Sequence, residues 1–125
     1  MTHPKSTPVL RGLGLGLMVG MTLVGCGQTH KNVLGLAPAV AATATAHALA
    51  KLPATQKVTL HGEMIEKCPV AGCWFILRDK TGTVRVDTKA AGFVVSNVPL
   101  HTDLIVSGTV VPGTQPGLAA TGVRY

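Results

Sequence analysis

Cys68 and Cys73 stand five positions apart in CPVAGCWF, with His61 and Met64 a few residues upstream and Trp74 directly after the second thiol. Two thiols so placed can close a structural disulfide, cycle as a redox couple, or hold a soft metal such as Cu(I), with Met64 and His61 as further ligands. If the four residues between them form a hairpin loop, the cysteines are the first facing pair of the ladder. Their Cα atoms would then lie roughly 4.5–5.5 Å apart, at the short end of the disulfide range. Closing so short a loop contributes about 2 kcal/mol, less any strain it stores. Redox pairs usually sit closer together, at a helix start whose dipole favours the thiolate. A structural disulfide is therefore the leading reading, and metal or redox chemistry the alternative. No nucleophile, base and orienting group come together elsewhere. His61, Glu63 and Glu66 share one stretch, and His101 and Asp103 flank a later loop, but each fits a solvent-facing position, so no catalytic residue is assigned.

The thiols need a hairpin to hold them, and the surrounding pattern supplies one. Val58, Leu60 and Met64 alternate with Thr59, His61 and Glu63, the period of a half-buried strand. Gly62 interrupts that strand and suits a bulge or coil that lets one long strand serve both sides of a barrel. A second strand runs from Cys73 to about Arg78, and DKTG at positions 79–82 signals a hairpin into a third strand over positions 83–88. Positions 89–100 show no sustained period. A fourth strand, 103–111, carries Gly108 at its middle, PGTQPG spans 112–117, and a fifth strand covers 118–124. Three strands, a longer connection, then two more is the order of the OB-fold, a five-stranded Greek-key barrel. Trp74 and Phe75 must point to opposite faces. One belongs to the core and the other marks a candidate binding surface, with Arg78 and Arg85 as its cations.

What precedes the barrel reads as delivery and tether. Residues 1–11 hold His3, Lys5 and Arg11 and no acid, and residues 12–25, GLGLGLMVGMTLVG, are uncharged. Fourteen such residues are too few to span a bilayer, which needs about 20, but suit the apolar part of a secretory signal. Leu23, Val24 and Gly25 before Cys26 resemble the lipobox of bacterial lipoproteins. That resemblance implies cleavage before Cys26 and acylation of its sulfur and amino terminus. With buried methylenes worth about 0.8 kcal/mol each, several chains would hold the protein to a membrane. Gly27, where an Asp would favour the inner membrane by that family's sorting rule, points to the outer one. Residues 26–56 are rich in Ala and Thr and read as a flexible tether, with partial helix over 37–52 stopped by Pro53.

The formal charge of +6 suggests nucleic acid until its distribution is read. Lys5, Arg11, Lys31, Lys51 and Lys57 precede Val58, and all five acids follow it, so residues 58–125 carry six cations against five acids, net +1. Single-strand binding wants a basic groove and several stacking aromatics. Trp74, Phe75, Phe93 and Tyr125 are the only aromatics, so nucleic acid is not expected as a partner.

Cys68, Gly72-Cys73-Trp74, the turn from Asp79 to Gly82, and Val106 to Val110 resemble the shared pattern of uncharacterised bacterial exported proteins and lipoproteins of OB-fold type. The resemblance implies fold and location and brings no activity. Small OB-type copper metallochaperones of the periplasm are a second comparison, but Ile76, Leu77 and Arg78 stand where those proteins place methionines. The chain is thus read as a signal peptide (1–25), a lipidated Cys26 with its tether (26–56) and an all-β OB-like barrel (57–125). It is expected to be a non-enzymatic binding or assembly accessory of the cell envelope. It would face the periplasm from the outer membrane, bound to lipid through Cys26, with envelope proteins as partners and no cofactor. The alternative is a copper-type metal or thiol-redox protein using Cys68 and Cys73.

Overall fold

The computed structural model describes residues 32–125. The signal segment and Cys26 lie outside the described residues. The strands are β1 (Val33–Gly35), β2 (Lys57–Lys67), β3 (Trp74–Asp79), β4 (Gly82–Asp87), β5 (Asp103–Val111) and β6 (Gly117–Arg124), with a 3-10 helix (His47–Lys51) between β1 and β2. Neighbours in the sheet run β1-β6-β4-β3-β2-β5, and β5 pairs back onto β6, so β2 to β6 close a five-stranded barrel of OB type. β4 and β6 run parallel, while the other pairs are antiparallel. β3 to β6 begin and end within a residue of their expected limits, and β2 extends past its alternating Val58–Met64 pattern to Lys67.

β2 is the long strand that turns the sheet into a cylinder. It pairs with β5 from Lys57 to Glu63 and with β3 from Glu63 onward. At the changeover sits Gly62, where a Cβ would meet the Arg78 carbonyl oxygen at 2.4 Å. Only glycine lets the two backbones approach so closely, at the point where the one long strand passes from one side of the barrel to the other, as expected. The bulge itself lies farther along, between Met64 and Glu66, and a second interrupts β5 against β6 between Ser107 and Gly108.

Inward-facing Leu60, Met64, Phe75, Leu77, Val86, Leu104 and Val106 are all fully buried. Each such side chain stabilises the fold by about 1.5–3 kcal/mol relative to exposure. Val95 and Val98 plug the end near the β2–β3 loop, where Lys67 donates to the carbonyls of Ser96 and Val98. At the opposite end, beside the β3–β4 turn, Leu49 and Ala46 of the N-terminal segment join the core.

That last observation corrects the tether. β1 pairs with β6 from Val33 to Gly35. The Thr43 N–H donates to the Thr59 carbonyl at 2.8 Å, and the Thr59 N–H donates to Thr43 Oγ1 at 2.8 Å. Residues 32–56 therefore lie along the barrel, and Thr59, on the outward face of β2, is buried beneath them. Helix forms only over His47–Lys51, not across residues 37–52. Its position is set by Asp79, whose carboxylate accepts the Ala46 N–H at 2.8 Å while also taking the Thr81 hydroxyl and the N–H groups of Thr81 and Gly82. Burial would raise the Asp79 pKa, but these donors outweigh it and hold the carboxyl below its ordinary range.

Candidate functional site

The period of two sorts the residues of β3 and β4 between core and surface. Phe75 and Leu77 point inward with Val84 and Val86, leaving Trp74, Ile76, Arg78, Thr83, Arg85 and Asp87 on the outer face. Phe75 is thus core and is removed from the candidate binding surface. Trp74 and Arg85 do come together: the guanidinium lies 4.6 Å from the centre of the indole ring. Such a stack is worth about 0.5–1 kcal/mol in the open and fixes both side chains in place.

Two cavities along β4 both include Arg85 in their lining. One of about 600 Å³ is lined by Arg85, Asp87, Lys89, Val111, Gln115 and Leu118. The second, about 520 Å³, includes His47, Thr81, Thr83 and Thr114 and shares Arg85 and Gln115 with the first. Both fall in the size range of small-ligand sites. Together they form one trough beside β4, crossed by the β5–β6 loop. Its cations are Arg85 and Lys89, set against the carboxylate of Asp87, whose Oδ1 accepts the Lys89 backbone N–H at 2.8 Å. Lys89 and Gln115 fall in connecting segments, and nothing in the sequence shows that the loops before β5 and β6 reach the same strand.

Arg78 takes a different role on the same face. It donates to Glu63 Oε1 at 2.9 Å, and His101 Nδ1 lies 2.7 Å from the other oxygen. The guanidinium first, and then His101, hold the Glu63 carboxyl below its ordinary 4.5. His61 Nε2 sits 2.8 Å from Asp103 Oδ2 beside them. Residues read separately along the chain are thus gathered at the β2–β5–β3 junction. All are solvent-accessible, and screened pairs of this kind contribute little to stability.

Cys68 and Cys73 lie in the β2–β3 loop as half-buried free thiols. The register of Glu63↔Arg78 and Met64↔Leu77, continued, would set Cys68 opposite Cys73. The bulge between Met64 and Glu66 advances it by one, giving Lys67↔Phe75, and the Cys68 N–H donates to the Trp74 carbonyl at 3.0 Å. The expected facing register is corrected by that one inserted residue, and the two cysteines are unbonded thiols in the structure. The loop instead folds around the first sulfur: backbone N–H groups of Ala71 and Val70, with smaller help from Gly72 and Cys73, lower the Cys68 pKa to about 7. Gly72 makes the turn at φ 65, and its carbonyl receives the Val95 N–H at 2.8 Å.

The proposed soft-metal set is not assembled. Met64 is fully buried in the barrel, His61 is on the outer surface against Asp103, and Cys68 is four residues along from Met64, roughly 13 Å of strand. Among the described residues no three His, Cys, Asp or Glu side chains are grouped to hold a metal ion.

No protein-family model matches the chain, and no curated protein matches it. Among solved structures the chain is similar to the hypothetical protein ygiW from E. coli, with a TM-score of 0.54 and 17% identity over 73% of this chain and 98% of that one. At that identity the likeness carries the barrel fold alone.

Proposed function

We propose that this protein is a lipid-anchored OB-fold binding or assembly accessory of the cell envelope, non-enzymatic, held through Cys26 on the periplasmic side of the outer membrane. The observation that carries the binding reading is Arg85, which lines both cavities of the trough beside β4 and is braced against the Trp74 ring. In OB barrels the face of the corresponding two strands, with the loops around it, commonly takes ligands. A cation braced by an aromatic, with no ion-pair partner among the described residues, and a mixed apolar and polar lining suit an acidic or neutral partner. A photo-crosslinking residue placed at Gln115 should capture an envelope partner in cells, and Arg85→Ala should abolish the capture. Equal capture from Val70, which is exposed on the β2–β3 loop, would overturn the assignment. The anchor is tested separately: labelled fatty acid should enter the protein, and Cys26→Ala should release it from membranes.

Cys68 favours a second reading. A thiol that ionises at about 7 is half thiolate under neutral conditions, so a thiol-redox role with Cys73 is the alternative function. Equilibration in glutathione buffers of graded ratio tests it: a pair that changes oxidation state within the physiological span supports redox function, and one that stays reduced throughout ends it.

A further inference from the structure

β4 leaves part of one edge unmatched. Its two-residue turn makes Asp79↔Gly82 an exchanged pair, so Leu77↔Val84 and Phe75↔Val86 carry the other β3–β4 hydrogen bonds. The peptide groups of Thr83, Arg85 and Asp87 consequently point away from β3, toward β6. β6 pairs with β4 only at Val86 and Asp87. Below that, neither the N–H nor the C=O of exposed Thr83 meets a partner among the described residues.

The opening where a continued β6 would lie is the cavity of about 520 Å³ bounded by the 3-10 helix on one side and Thr114 to Pro116 on the other. The helix does not close it, because it is fastened at the turn: the Ala46 N–H goes to Asp79 and the His47 N–H to Thr81 Oγ1 at 3.0 Å. A donor and an acceptor from one residue, side by side on a strand edge, match the acceptor and donor of a second strand about 4.7–4.9 Å away. The charge beside them is positive. Arg85 stands between the two cavities and Lys89 lies beyond it, two cations against the one carboxylate of Asp87.

We infer that this trough receives an extended segment of a partner protein, which adds to the free edge of β4 through Thr83 and sets an acidic side chain beside Arg85. The inference rests on the binding reading above and names the chemistry of the partner.

Two pools of random peptides of roughly ten residues, one with Glu and one with Lys fixed near the centre, are panned against the purified full-length protein. Binders should emerge from the Glu pool. A synthesised binder should slow hydrogen exchange at the Thr83 amide, lose affinity about tenfold or more against Arg85→Ala, and fail when its backbone nitrogen facing Thr83 is methylated. No binder, preference for Lys, unchanged exchange at Thr83, or tolerance of methylation each overturns the inference. A ligand that alters Trp74 fluorescence and needs Arg85 but leaves Thr83 exchange untouched would keep the binding reading and end this one.

Discussion

Cys68 offers a quantitative check on the β2–β3 loop. Its pKa falls from the ordinary 9.0 to about 7 because peptide N–H groups, first those of Ala71 and Val70, face the sulfur. At pH 7 an ordinary thiol of that kind is about one part in a hundred thiolate and Cys68 about half, a difference of roughly fifty-fold. Some of this is returned, because intrinsic nucleophilicity falls with pKa along a Brønsted slope of about 0.4–0.5, which here amounts to roughly eightfold. Alkylation of Cys68 by iodoacetamide should then run roughly sixfold faster than that of an unperturbed thiol at pH 7, yet roughly eightfold slower near pH 10. The crossing of the two rate profiles is the signature. Mass-spectrometric rates across pH, measured in a Cys73→Ser background, should show an inflection near 7. An inflection near 9, or no crossing, would refute the claim that the loop's N–H groups stabilise the anion. Gly72→Ala should move the inflection upward, since φ 65 disfavours a side chain and the new Cβ would lie 2.7 Å from the Ser96 nitrogen.

Three further outcomes follow from packing and charge. Leu49→Ala should cost about 2–5 kcal/mol in urea unfolding, because the side chain is fully buried; a loss below about 1 kcal/mol would detach residues 32–56 from the core. Gly62→Ala pushes a methyl against the Arg78 carbonyl and should cost about 1–3 kcal/mol. At about 4–8 °C per kcal/mol for a domain of this size, thermal melting followed by circular dichroism resolves that loss, and an unchanged midpoint would contradict the close approach. Glu63 has a lowered pKa, so its contribution is present above its ordinary 4.5 and is lost as pH falls below that value through the folded pKa. The stability gap between the native protein and Glu63→Gln should therefore be seen at neutral pH and close in acid; a gap that persists in acid would mean the effect is not ionic.

The barrel was legible because its strands advertise themselves twice, through alternation and through turn residues. Val58 to Met64, Val84 with Val86, and DKTG gave both elements and order. The N-terminal segment advertises neither. β1 has only three residues, and Leu49 is a lone large apolar side chain among alanines, so its burial depends on a barrel end that no local pattern announces. Trp74 and Phe75 could not be sorted from sequence, because Ile76 and Leu77 continue both faces as apolar. Least legible of all was the inserted residue near Ile65. No glycine or proline marks it, yet it moves Cys68 from opposite Cys73 to opposite Trp74 and so changes what the thiols can do. The trough was missed for a related reason. It is made by the meeting of connections distant in sequence, and only Arg85 and Trp74 were conspicuous in composition.

The attachment of residues 32–56 to the barrel also limits the reach of an acylated form. With β1 already beginning at Val33, only six peptide steps separate Cys26 from Asn32, at most roughly 20 Å even when drawn out straight. An acylated molecule on so short a leash could not range far from the lipid. It would work as a fixture at the lipid surface, and whatever it engages must come to within a barrel's width of the bilayer.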